Sequence, residues 1–184
     1  MALEPDTPIV LIGMPGSGKS TVGRRLATAL GRSFLDSDVE IEQSCGVPVA
    51  TIFEYEGEEG FRRRESAALA QLMRKPATVI ATGGGAILAQ HNRELIAALG
   101  YVVYLEVSPA ELWRRVRKNR ARPLLQTSDP RDSLARLLEA RAPLYASLAN
   151  LTIASARQSA AQMATDIIVR LPPPLRGPEA GISP

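Results

Sequence analysis

Residues 8–27, "PIVLIGMPGSGKSTVGRRLA", run a short apolar stretch into a glycine-rich turn and then into a helix-like segment. Few other patterns restrict a fold so tightly. Ile9 to Ile12 are consecutive apolar residues, as in a strand covered on both faces of a parallel sheet. From Gly13 to Ser20 the chain fits G-x-x-x-x-G-K-[ST], in which glycines let backbone N–H groups turn inward around phosphate oxygens. The following helix adds its positive N-terminal end. Lys19 would reach the β- and γ-phosphates and the Ser20 hydroxyl would ligate Mg²⁺, so a nucleoside triphosphate is the expected ligand. Gly16, Ser17, Gly18 and Thr21 complete the expected nucleotide cradle.

The 184 residues suffice for one domain and not for two. Strand-like segments at Ile9–Ile12, Ser33–Leu35, Thr78–Ala81, Tyr101–Glu106 and Leu151–Ile153 alternate with helical ones, which argues an α/β fold with a mostly parallel sheet. Ser108 followed by Pro109 reads as a helix start, N-cap then first helical position. Residues 172–184, "PPPLRGPEAGISP", hold five prolines and two glycines and are expected to be an irregular tail after a domain spanning 1–171. The acidic start "MALEPDTP" lacks an apolar signal core, no apolar run is long enough to span a membrane, and one cysteine, Cys45, suits the cytoplasm. The single histidine, His91, excludes a multi-histidine metal site and reads as a surface residue.

Net charge is only +3, yet "WRRVRKNRAR" at 113–122 carries six basic residues and no acid. Nucleic acid, a solvated helix face, or a loop closing over a triphosphate would each explain it, and the upstream glycine loop favours the last. The proline-containing stretch that follows makes 117–130 a mobile lid, from which Arg122 could close on the γ-phosphate.

Three further blocks carry chemistry. In "LDSDVEIE", Asp36 and Asp38 alternate, so on an extended chain both point toward the carboxyl edge of the sheet; the alternative for Asp38 is a helix N-cap. In "GEEGFRRRES", Arg62 lies four residues beyond Glu58, which suits an intrahelical ion pair or, if aimed into a cleft, a two-pronged grip on a carboxylate. "TVIATGGGAIL" ends a buried-looking strand in Gly83, Gly84 and Gly85, where many phosphate-loop enzymes place a metal-holding aspartate. The bare turn suits either a hinge or close approach by a small substrate. Arg141 sits in a helix, where a solvated arginine is the default.

Taken in order, GMPGSGKST, DSDVEIE, GEEGFRRRE, TGGGAI, RPLL and RAPLY resemble the shikimate kinases over roughly residues 8–170. The resemblance implies a three-layer α/β/α phosphate-loop kinase fold, with a five-stranded parallel sheet in order 2-3-1-4-5, a shikimate-binding helical region after strand 2, and a lid. It implies ATP and shikimate as substrates, Mg²⁺ as cofactor, no nucleic-acid or membrane partner, and a cytoplasmic monomer. By the same resemblance, Asp38, Arg62, Gly83, Gly84, Gly85 and Arg141 would bind shikimate, with the two arginines on its carboxylate. Lys19 and Arg122 would stabilise the phosphoryl charge and Asp38 would act as base. Ser20 and Asp36 would hold Mg²⁺, Asp36 through water, and Arg115 would stack on adenine. A gluconate-kinase-like enzyme shares such an ATP site, but the arginine pair argues for a carboxylated acceptor. A non-catalytic nucleotide-dependent regulator would have no reason to retain Lys19, Ser20, Asp36, Asp38 and Arg122 together.

Overall fold

The computed structural model describes residues 3–117, 129–155 and 158–176. Five strands, β1 (Ile9–Ile12), β2 (Ser33–Asp36), β3 (Thr78–Ala81), β4 (Tyr101–Glu106) and β5 (Leu151–Ala154), form one sheet in the order β2-β3-β1-β4-β5. All four pairings are parallel. Between them run α1 (Lys19–Leu30), α2 (Ser37–Cys45), α3 (Val49–Leu72), α4 (Gln90–Leu99), α5 (Pro109–Val116), α6 (Pro130–Leu148), α7 (Ala160–Arg170) and α8 (Pro173–Arg176). The strand order is the one expected from the sequence.

Central β1 is buried at every position, which explains its unbroken run of apolar residues. Alternate residues serve opposite faces: Val10 and Ile12 pack with α3 and α6 residues such as Leu69 and Leu138, whereas Ile9 and Leu11 pack with Val22 and Leu26 of α1 and Ile167 of α7. The sheet is thus sandwiched between two helical layers. A smaller cluster of Ile41, Ile52, Phe61 and Ala68 joins α2 to α3 beside the sheet.

Some local expectations shift. Helix α3 is one helical run bent at Gly57, whose φ of 67° and ψ of −175° interrupt it. A second helix forms at Ser37, not Val39, because the Asp36 side chain accepts from Asp38 N at 3.1 Å and caps it. Asp38 is therefore in the first helical turn, and the alternating-strand argument for its direction does not hold; nor is Asp38 the cap. Ser108 does cap α5, accepting from Glu111 N, with Pro109 leading the helix. The proline-rich tail is not irregular from its start: Pro173–Arg176 is helical, and Leu175 is fully buried against the α1/α7 layer. Arg176 fastens that turn by donating to Leu171 O and Val169 O, both at 2.5 Å. The central part of the expected lid, 118–128, and with it Arg122, lies outside the described residues. Among the described residues no helix is long and apolar enough to cross a membrane.

Candidate active site

The carboxyl ends of β1, β2 and β3 open into one cleft of about 860 Å³, walled on its far side by α3 and α6. Every described residue expected to bind or catalyse lines it except Ser17, which is fully buried. The same strand edge that fixes the glycine loop thus gathers residues from four separate blocks.

Gly16 and Gly18 take φ of 89° and 100°, a backbone that side chains other than glycine rarely adopt. The turn so formed delivers Lys19 to the first position of α1. Its ammonium donates to Gly13 O at 2.8 Å and Met14 O at 3.0 Å, which holds it along the inner wall of the loop. Ser20, the next residue, donates from Oγ to Asp36 Oδ2 at 2.6 Å. A hydroxyl from the first turn of α1 and a carboxylate from the end of β2 thus meet. Hard oxygens in such small number suit Mg²⁺, which keeps most of its waters and seldom uses an all-protein cage. Among the described residues there is no cluster of three or more His, Cys, Asp or Glu side chains that could hold a metal alone.

Asp38 faces the same space from the first turn of α2. Burial pushes its carboxyl above the usual range, and the Asp36 charge adds to that, while Lys19 and Arg62 partly oppose it. Beside it lies Glu65, which is 1% exposed and was not singled out in the sequence. Glu65 Oε2 accepts from Arg62 Nη1 at 2.7 Å, and Arg62 Nη2 also donates to Glu58 at 3.2 Å. The intrahelical pairing expected of Arg62 is present, and it fixes a guanidinium that lines the cleft. Burial raises the Glu65 carboxyl despite its Arg62 partner, and its Oε1 has no hydrogen-bond partner.

The glycine turn after β3 is pinned to this group. Gly83 N donates to Ser37 Oγ at 2.8 Å. A Cβ at Gly83 would lie 2.5 Å from Glu65 Oε1 and 2.8 Å from Asp38 Oδ1, and one at Gly85 would overlap the Arg62 guanidinium. A side chain at Gly83 or Gly85 would displace these charged ends, and one at Gly84 would meet the Pro15 ring at 2.5 Å, so the turn's bare backbone is closely packed. Gly84 O accepts from Tyr145 Oη at 2.5 Å and from Arg141 Nη1 at 3.3 Å, both from α6. Arg141 is 9% exposed, so the default of a solvated arginine is wrong for this chain. Burial also lifts the Tyr145 phenol to about 12, so it stays a donor at any ordinary pH.

On the other side of the loop, Arg115 is held flat by three bonds: to Glu111 Oε1 at 2.7 Å, Ser17 O at 3.0 Å and Ser155 Oγ at 2.8 Å. Arg114 and Arg115 together hold the Glu111 carboxyl down at about 2. A planar cation so fixed beside the loop offers a face for stacking. His91 is exposed, with Nε2 2.8 Å from Ser66 Oγ, as expected of a surface residue.

Known proteins fit this geometry closely. The family model for shikimate kinase matches residues 15–172. The chain belongs to the shikimate kinase family. Its relatives include the shikimate kinase of Bordetella pertussis, 48% identical over 92% of this chain and 80% of that one. That of Burkholderia thailandensis is 46% identical over 92% of each. Among solved structures, the Acinetobacter baumannii shikimate kinase in complex with shikimate superposes with a TM-score of 0.86 at 45% identity, covering 90% of this chain and 92% of that one. A gluconokinase from Sinorhizobium meliloti, at 20% identity and a TM-score of 0.55, shares the fold alone.

Within this shikimate kinase framework, the residues that sequence reasoning missed are Glu65, Tyr145 and Ser37. Glu65 and Tyr145 stand inside blocks that were read, three and four residues beyond Arg62 and Arg141 respectively. The i+3 and i+4 spacing was the available signal, because it places each on the face of its arginine.

Proposed function

We propose that this chain transfers the γ-phosphoryl group of ATP to the 3-hydroxyl of shikimate, giving ADP and shikimate 3-phosphate. One observation carries the reading: Arg62 and Arg141, from different helices, meet at the Gly83–Gly85 turn in the cleft that also holds Lys19. Lys19 accounts for a triphosphate. Two further guanidiniums in the same cleft call for a second anion, and a planar fork suits a carboxylate.

In this reading Arg62 and Arg141 clamp the carboxylate of shikimate, while Asp38 accepts a hydrogen bond from the 3-hydroxyl and takes its proton as the phosphoryl group arrives. The raised pKa of Asp38 fits that task, since a carboxyl nearer neutrality is a better proton acceptor. Gly83, Gly84 and Gly85 let the ring approach closely. Lys19 follows the γ-phosphoryl charge, joined by Arg122 from the lid segment, and the N–H groups of Gly16 to Thr21 hold the phosphates. Arg115 stacks on adenine. Ser20, and Asp36 through water, would hold Mg²⁺, which when bound neutralises charge on the β- and γ-phosphates. Phosphoryl transfer asks little covalent help of a protein, so positioning and charge placement supply most of the acceleration, with Asp38 as the proton acceptor. In this reading the enzyme works as a monomer in the cytoplasm, where ATP is at hand.

The test is a coupled ADP-release assay. ADP formation is expected with shikimate and Mg²⁺ and not with gluconate or AMP. Comparable turnover with gluconate would remove the shikimate assignment and leave the nucleotide site standing.

A further inference from the structure

A second cavity, of about 300 Å³, shares no lining residue with the cleft. It lies where β4 and β5 end, between the start of α5 and the middle of α6. Leu138 and Ala142 of α6 give it an apolar wall, and the polar groups of Tyr104, Glu106, Ser108 and Ser155 line the rest.

Tyr104 is the telling residue. Its side chain is 2% exposed and stacks on Tyr145, with ring centroids 5.1 Å apart. Its hydroxyl makes no hydrogen bond to a described residue and, unlike the ring, is not sealed in the core, so it is free to partner what enters the cavity it lines. Burial, with the Glu106 charge adding to it, pushes the phenol pKa up, so the group remains neutral. A neutral hydroxyl that the protein leaves unsatisfied is therefore presented to a space large enough for a small ligand.

Charge decides the ligand class. Glu106 is the one acidic side chain among the described lining residues, and no basic residue lines the cavity, Arg115 lying behind the Ser155 hydroxyl. Ser108 Oγ already accepts from Glu111 N and Ser155 Oγ from Arg115 Nη2, but each oxygen retains a further lone pair. Acceptors around one negative charge, facing an apolar wall, suit an ammonium on an apolar body. We propose that this cavity binds a small primary amine carrying an aryl or branched alkyl group, with its ammonium on Glu106 and Tyr104 and its body against Leu138 and Ala142.

Occupancy has a consequence for the cleft. The Ser155 hydroxyl that faces the cavity is the one that holds Arg115, and Arg115 in turn donates to Ser17 O of the glycine loop. An ammonium beside Ser155 repels the guanidinium bonded to the same hydroxyl. Bound amine therefore weakens nucleotide binding, and by linkage nucleotide weakens the amine equally. This second step rests on the proposed nucleotide role of Arg115; amine binding itself does not.

Titration calorimetry of the full chain, saturated with shikimate, tests both steps with 2-phenylethylamine as probe and 2-phenylethanol and phenylacetate as controls. The amine is expected to bind saturably with a Kd of about 1 mM or tighter, the alcohol about tenfold more weakly, and the acid not at all. Glu106→Gln and Tyr104→Phe should each weaken the amine about tenfold, and Ala142→Leu should fill the cavity and block it. Saturating amine should weaken ADP binding about three- to tenfold. Absence of saturable binding, equal affinity for all three probes, or an affinity unchanged in both Glu106→Gln and Ala142→Leu would overturn the site. Binding with unchanged ADP affinity would overturn the coupling. Glu106→Gln is expected to retain ADP formation, which separates loss of the site from loss of the fold or of the kinase reading.

Discussion

Tyr145→Phe removes one oxygen from a fully buried ring and leaves the stack on Tyr104 in place, so it isolates a single hydrogen bond. That bond, at 2.5 Å, is the shorter of the two that reach Gly84 O; the other comes from Arg141 at 3.3 Å. A neutral hydrogen bond contributes about 0.5–1.5 kcal/mol net, and leaving a buried acceptor wholly unsatisfied costs about 1–3 kcal/mol. Since Arg141 still serves Gly84 O, the expected loss is about 1–2 kcal/mol, near the lower end. In a chain of this size that is a fall in Tm of roughly 2–8 °C, readable by calorimetry. The chemistry predicts a further split. With its phenol gone, only Arg141 holds Gly84 O, and a guanidinium drawn onto the turn is less free to meet a carboxylate. The KM for shikimate should rise about three- to tenfold while the KM for ATP stays put, because the phosphate loop does not touch Tyr145 Oη except through Met14 sulfur. A variant matching the parent in Tm and in both KM values would show that the bond to Gly84 neither stabilises the turn nor positions it. Equal rises in both KM values would show a general loosening of the cleft.

Other substitutions test the division of labour. Arg62→Lys and Arg141→Lys should each weaken shikimate binding about ten- to hundredfold, because an ammonium cannot make the planar two-pronged contact. An acceptor with the carboxylate reduced to an alcohol should be nearly indifferent to either change, and equal losses for acid and alcohol in calorimetric titration would mean the arginines only support the fold. Asp36→Asn should shift the Mg²⁺ dependence of turnover to higher concentration, whereas Asp38→Asn should spare nucleotide affinity and damage the acceptor side; the same metal defect in both would refute the assignment. Asp38→Asn should also change stability with pH. A carboxyl raised in the folded state binds protons there that the unfolded chain has released, so the parent loses stability as pH climbs from the unfolded value, near 4, through the folded one. The variant should therefore melt higher than the parent at pH 8 and alike below about pH 3, and a constant difference across that range would show that the buried charge is not the cause.

The inner strands β1, β3 and β4 were legible in the sequence because each is a mostly apolar run, as a sheet buried on both faces requires, whereas the partly exposed edge strands β2 and β5 follow only from the alternation with helices. The nucleotide cradle was legible for a different reason: its ligands are backbone groups, so the glycines that expose them are contiguous in the chain. The acceptor side was harder, because it is assembled from α2, α3, the turn after β3 and α6, and no local pattern says which face of a helix looks inward. Arg62 and Arg63 illustrate the difficulty. Both lie four residues after a glutamate and both pair with it, yet Arg63 remains exposed to solvent while Arg62 lies against the glycine turn. What separates them is Glu65, whose buried carboxylate draws Arg62 inward at i−3 and leaves Arg63 alone. Beyond Arg62, that carboxylate has no hydrogen-bond partner in its own helix, and its Oε1 is left without one. It packs where a Cβ on Gly83 would stand, so the empty position in one block and the charged residue in another define each other. A triplet of glycines and an acidic residue some twenty positions apart carry no mutual signal in a single sequence. Their meeting is a property of the parallel sheet, which brings the end of β3 beside α3 and makes a gap in one the seat of the other.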